Sequence, residues 1–217
     1  MSPPARRAGR PPRLSRDAIV DAAQTIVAAG GIGALTMRRV ATALEASPMA
    51  IYRHVADKDE LLVLLLDRLA AEVPRPALPL EPRERVLAAC RLMRDGIAQY
   101  PWIVDVLAGG DLIAPSILWV IEEIVAGLHA CGLSHARSAD GYRAIWQYTV
   151  GSLIVQRGID EIAQLERPPY VVQVLTTVDP ERLPTLAALA PHWAGAREQD
   201  SYELGLEPLV DGLLGRR

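Results

Sequence analysis

The chain has 217 residues, 50% of them hydrophobic, and a formal net charge of −3. That is ample apolar material for one large core or two smaller ones. No uninterrupted apolar run approaches the about 18 residues of a membrane span, and no apolar stretch follows the basic N-terminus as a secretory signal requires, so a cytoplasmic protein with no membrane contact is expected.

The charge is unevenly placed. Residues 1–60 carry nine basic and six acidic side chains, a net +3 that leaves −6 for the remainder. A basic end on an acidic body suits a protein that offers one end to a polyanion. Residues 1–14 hold Arg6, Arg7, Arg10 and Arg13 among prolines, alanines and Gly9, with no hydrophobic periodicity, and read as a disordered arm. Residues 9–13 either lay arginines into a minor groove or form a solvated tail that adds only nonspecific attraction to phosphate. Ser15 is placed to cap a first helix to about residue 29, with Ile19, Ala22, Ala23, Ile26 and Val27 as its inward stripe and Gly30-Gly31 as its stop.

Residues 35–62 are the stretch around which the chain is organised. Met37, Val40, Ala41 and Leu44 recur at helical spacing and form one apolar stripe. Glu45-Ala46-Ser47 is a turn. Ser47 is the N-cap of a second short helix, residues 48–55, and Pro48 is its first residue, where a missing N–H costs nothing. Ile51 and Val55 turn inward, leaving Met49, Ala50, Tyr52, Arg53 and His54 facing out. Asp57 and Glu60 form a D-x-x-E capping box that opens a third helix, to about residue 72. Its leucines cover more than one side, so it is expected to touch a second domain as well. Two short helices about a tight turn, the second with a polar and aromatic outer face, are the helix-turn-helix plan for the DNA major groove.

The ordered residues Leu35-Thr36, Val40-Ala41, Leu44, Ser47, Ile51-Tyr52-x-His54-Val55, Lys58 and Leu61-Leu62 resemble the DNA-binding domain of the tetracycline-repressor (TetR) family, over residues 15–69. One residue departs from the pattern: the family has glycine at the first turn position and this chain has Glu45, which implies a slightly reshaped turn. By the resemblance, Tyr52 and His54 clamp the DNA backbone on either side of the groove and Lys58 anchors a phosphate. Lys58 is also the only lysine of the chain. Thr36 offers phosphate a hydroxyl, beside Met37 at the start of its helix, and the helix N-terminus at Ser47 and Pro48 points amides the same way. Arg38 and Arg53 are the candidates for base readout, because a guanidinium reaches guanine O6 and N7 as a fork. Met49 and Ala50 offer apolar contact, for instance to a thymine methyl. Arg39 is expected to face phosphate or solvent.

Pro74, Pro76, Pro79 and Pro82 break the chain, and the domain boundary is placed there. The expected organisation is an arm over 1–14, a helix-turn-helix domain over 15–73 and a helical ligand-binding and dimerisation domain over 74–217, an all-α fold throughout. In the body, helices are expected over 83–100, 101–108, 115–130, 134–164, 184–194 and 201–214. Residues 170–177 read as loop or irregular helix. The last helix carries an apolar face of Leu206, Leu209, Val210, Leu213 and Leu214, which needs covering either by a partner subunit or by its own chain. The resemblance implies a homodimer built on the 134–164 and 201–214 helices, and a cavity for a small-molecule effector. Met93, Trp102, Trp119, Tyr142, Trp146 and Thr149 are the candidate lining, since aromatic walls with a few polar groups suit flat apolar ligands. Cys90 and Cys131 read as buried thiols, not as a redox or metal pair.

The four histidines are scattered, and H-E-x-x-H, G-x-S-x-G and a phosphate-binding glycine loop are all absent, so no enzyme, cofactor or metal is expected. The function expected is a homodimeric repressor of a pseudo-palindromic operator on double-stranded DNA, released by a small apolar or aromatic ligand. The alternative is a dimeric DNA-binding regulator without an effector, or an activator.

Overall fold

The computed structural model describes residues 14–109, 112–165, 168–198 and 201–215. The arm arginines Arg6, Arg7, Arg10 and Arg13 lie outside these. Among the described residues the chain forms eleven α-helices and two 3-10 turns, with no strand. It divides into two compact units. The first runs to Val73 and also takes in Asp105–Ile117; the second holds Pro74–Val104 and the chain from Leu118 onward. Residues 105–117 are thus part of the first unit, although the prolines at 74–82 assign them to the body.

The first unit is built on α1 (Arg16–Gly30), α2 (Met37–Ala43), α3 (Pro48–Tyr52) and α4 (Lys58–Ala71). The Ser15 hydroxyl accepts from the Ala18 amide at 3.2 Å and starts α1, and Gly31, at φ 69°, ends it by donating to the Val27 carbonyl. Ile19, Val20, Ala23, Ile26 and Val27 are buried along α1. Val20 joins this stripe because both α2 and α4 pack on α1, so the core wraps around more than one face of α1. Leu35, Val40, Ile51, Val55, Leu61 and Leu65 are fully buried and complete the core. The broad apolar surface of α4 has a partner inside its own unit: the 3-10 turn Pro115–Ile117 packs on it, with the Ser116 amide donating to the Asp67 carboxylate at 2.6 Å. Arg68 ties α4 to α1 through Asp17 and Asp21.

The second unit contains α5 (Pro82–Ala98), the first half of α6 (Pro101–Leu107), α7 (Leu118–Ala130), α8 (His135–Ala163), α9 (Tyr170–Leu175), α10 (Pro184–Glu198) and α11 (Tyr202–Leu213). The core lies where α5, α7, α8 and α11 pack together. Gly127 is what lets α7 approach α5: a Cβ there would stand 2.6 Å from a Val86 methyl and 3.2 Å from the Pro82 carbonyl. The last helix is fastened twice. Arg83 holds Asp211 with both carboxylate oxygens, at 2.6 and 3.0 Å, and Arg91 holds Glu203 at 2.7 Å, with Glu207 in reach of both guanidinium groups. Residues 170–177, read as loop or irregular helix, contain a six-residue helix, α9, whose first bonds are accepted by the Pro169 carbonyl. One expectation needs correcting: α10 continues to Glu198, beyond its expected end at residue 194, because Ala-Arg-Glu is helix-forming sequence.

Part of the apolar face of α11 is covered by its own chain. Tyr202, Leu206 and Val210, four residues apart, are at most 1% exposed, packed on α5 and α8. Leu209 and Leu213 are half-buried, and Leu204 stands 72% exposed on the opposite side.

The tight α5–α7 approach sets a test of the packing. Gly127→Ala should destabilise the protein by roughly 1–3 kcal/mol, read as a lower urea midpoint with an unchanged denaturant slope.

Candidate nucleic-acid interface

The turn between α2 and α3 carries the reading geometry. The Ala46 amide donates to the Ala41 carbonyl at 2.9 Å and the Glu45 amide to Thr42 at 3.1 Å, the paired bonds of a Schellman ending. That ending needs a left-handed residue, and Glu45 supplies it at φ 50°, the one non-glycine with positive φ among the described residues. The turn is therefore not reshaped by the missing glycine. The glutamate adopts the glycine's conformation, at a cost of roughly 1 kcal/mol.

Side-chain oxygens then start each helix. Thr36 Oγ1 accepts from the Arg39 amide and Ser47 Oγ from the Ala50 amide, both at 3.2 Å, and Asp57 Oδ1 accepts from Glu60 at 2.8 Å. Glu60 reaches back to the Ala56 amide at 2.5 Å. The Thr36 oxygen that accepts here still carries a proton to donate. The ladder of α3 ends earlier than the expected residue 55. It stops at Tyr52, and His54 and Val55 close a last turn onto the Ile51 carbonyl at 2.9 and 3.1 Å. The five-residue α3 is held by Ile51 and Val55, which are 0% and 1% exposed.

That anchoring fixes what faces out. Met49 and Tyr52 are 68% and 46% exposed, on a segment where Ser47, Pro48 and Arg53 are also exposed and Ala50 and His54 half-buried. Arg38 and Arg39 are exposed on α2, with Met37 half-buried, and Lys58 is exposed as the first residue of α4. Among the described residues, Arg38, Arg39, Arg53 and Lys58 engage no carboxylate, whereas the other cations of this unit, Arg16 and Arg68, are paired with Glu60 and with Asp17 and Asp21. Four unpaired cations around a short capped helix, with a tyrosine and a histidine between them, form a surface for a polyanion.

The candidate ligand residues fall in the second unit and are not equivalent. Met93 is buried on α5. Thr149 is fully buried on α8, and its hydroxyl is shared with the Tyr202 hydroxyl at 2.9 Å. Tyr202 reaches in turn toward the Cys90 carbonyl at 3.5 Å, stacks on Tyr148 and lies under Arg94. Tyr202 escaped the sequence reading, although its four-residue spacing from Leu206 was the available signal. Trp102, Tyr142 and Trp146 are half-buried. So is Trp119, which has Arg75 over its ring and an indole N–H that is buried without an acceptor among the described residues. The first unit has a separate open cleft of about 310 Å³ between Ile32, Asp59, Leu62, Asp105, Val106 and Leu112, and none of the six candidates lines it.

A buried-anchored helix-turn-helix with an unpaired basic face defines a DNA-reading protein. Residues 19–65 match the family described as "Bacterial regulatory proteins, tetR family", and residues 76–217 match "Tetracyclin repressor-like, C-terminal domain". The HTH-type transcriptional repressor DrrR1 of Streptomyces coeruleorubidus is 30% identical over 218 residues, covering 94% of this chain and 79% of its own length. The Streptomyces coelicolor TetR-family protein ActR, solved in complex with (S)-DNPA, superposes with a TM-score of 0.75 at 28% identity, over 95% of this chain and 98% of ActR. BioQ, solved with its natural double-stranded DNA operator, gives 0.64 at 26% identity, over 93% and 99% of the two chains. The chain belongs to the TetR family of DNA-binding transcriptional regulators, which are not enzymes. Among the described residues no helix is long and apolar enough to cross a membrane.

Two measurements check the site. Arg38→Ala and Arg53→Ala should each cost ~1–3 kcal/mol and relax preference at one base pair, whereas Lys58→Ala should weaken all duplexes alike and reduce the salt slope by about 1. In the second unit, burial pushes the Cys90 thiol and the Tyr142 hydroxyl up to about 12 each. The fold favours both neutral forms, so this stabilisation is complete below pH about 9 and is lost as the pH rises toward 12. The urea midpoint should fall across that window.

Proposed function

We propose that this chain is a homodimeric repressor that reads a pseudo-palindromic operator through two copies of α3 and is released by a small apolar or aromatic ligand held in the second unit. The observation that carries the DNA reading is the outward set Arg38, Arg53 and Lys58, exposed and without carboxylate partners on a helix-turn-helix whose other cations are paired. In this reading Arg38 and Arg53 take base edges, with Met49 and Ala50 as apolar contacts. Thr36, Met37, Ser47, Pro48, Tyr52, His54 and Lys58 take the backbone, inside the bacterial cytoplasm where the DNA is.

One unit reads half a site, and two on a two-fold axis read a palindrome. Support for a dimer comes from apolar side chains left in solvent on the two helices implicated by the resemblance. Ile154 and Val155 of α8 are 41% and 61% exposed, and Leu204 of α11 is 72% exposed. Support for a ligand comes from Trp119, whose unmet indole donor calls for an acceptor. ActR, a similar protein, has been solved with a small molecule. Release requires a ligand that binds one spacing of the two reading heads better than the other, since equal affinity shifts nothing.

The test begins with selection of bound fragments from upstream regions of the source genome, at fixed salt. A symmetric site, and sedimentation at twice the 23.6 kDa chain mass, are expected. A monomer that grips symmetric and scrambled duplexes equally would refute the proposal. Thermal protection by members of a flat aromatic panel, together with loss of operator binding, is expected for a ligand-released repressor. Operator binding that no panel compound weakens would favour a regulator without an effector.

A further inference from the structure

We propose that Arg16 is the positioning residue of the interface: it fixes the end of α3 from α1 and does so without touching DNA. This rests on the reading that α3 meets the duplex. Arg16 is the first residue of α1. Its Nε donates to the His54 carbonyl at 2.8 Å, and one terminal nitrogen, Nη2, donates to Glu60 Oε1 at 2.7 Å. The other Glu60 oxygen accepts from the Ala56 amide at 2.5 Å, and the Glu60 amide is held by Asp57. One guanidinium thus clasps both ends of the link between α3 and α4.

The clasp sits between two of the groups assigned to the DNA backbone, His54 and Lys58. His54 presents its carbonyl to Arg16 and keeps its ring for the clamp, and Lys58 lies two residues before Glu60. A helix of five residues has almost no internal hydrogen bonding to set its own direction. Ile51 and Val55 set its depth, and the bond at His54 sets the aim of its last turn. The Arg16 and Glu60 side chains are 59% and 32% exposed, so the ion pair adds little to stability. The Arg16 charge is also spent on Glu60, unlike those of Arg38, Arg53 and Lys58. A guanidinium offers two donors in one fixed plane, which an ammonium does not.

The experiment measures binding to a duplex that the unmodified protein selects from a randomised pool. Arg16→Lys, Arg16→Gln and the Arg16→Gln/Glu60→Gln pair are compared with it across salt concentrations. All three should bind that duplex roughly tenfold more weakly, a loss the size of one charge-assisted hydrogen bond. Arg16→Lys and the double variant should keep their binding to scrambled duplex, their salt slope and their thermal midpoint. The double variant has the net charge of the unmodified protein, so recovered affinity there would reduce Arg16 to a charge effect and overturn the proposal. A slope lower by about 0.9 in the double variant would make Arg16 a direct phosphate contact and overturn it equally, since only there is the Arg16 cation removed. Unchanged affinity in all three would do the same. If the unmodified protein selects no duplex at all, the DNA reading beneath the proposal fails first.

Discussion

The removal of Ile51 and Val55 from water is the constraint on which the first unit turns. A five-residue helix cannot persist alone, because nucleation costs more than its few hydrogen bonds return. Each anchor contributes roughly 1.5–3 kcal/mol on burial, and the core that receives them includes Ile19 and Val40 from two other helices. With the inner face so fixed, the rotation of α3 about its axis is no longer free. Met49, Tyr52 and Arg53 are outside because Ile51 and Val55 are inside. The chemistry of the outward face is thus a by-product of core packing, and a change of anchor would redirect the surface without touching a single polar residue.

This part of the molecule was legible in the sequence because short-range rules govern it. The hydroxyls of Ser15, Thr36 and Ser47 and the carboxylate of Asp57 all sit on the amides that their positions predict. Glu45 is instructive. The residue argued for a distorted turn, but both Schellman bonds formed and the backbone strain was absorbed at one φ angle. The surroundings had more to lose from a broken turn than from one strained glutamate. The role of Arg16 is not legible in the sequence, since its bonds reach across 38 and 44 residues and no local pattern announces them.

The body was legible as helices and not as a site. Its hydrophobic periods place α5, α8 and α11, but which aromatic meets which is decided by packing between elements far apart in sequence. Thr149 looked like a polar group lining a cavity. In the fold it is fully buried and its hydroxyl is paired with that of Tyr202, 53 residues away. The last helix behaves in the same way. Its apolar face could be assigned from spacing, yet nothing local said whether a partner or the same chain would cover it. The part its own chain covers depends on Arg83 and Arg91, which bring α5 to it from more than 100 residues away.

Lys58 has a chemical consequence beyond its charge. Every other basic side chain of the Lys and Arg set is a guanidinium, a group that acylating reagents leave alone at neutral pH. An acyl donor therefore finds one side-chain amine on the whole chain, exposed at the foot of α4. Converting that amine to an amide would erase a cation without disturbing a buried contact. Modification chemistry that on most proteins scatters over many lysines would here be confined to the first turn of α4.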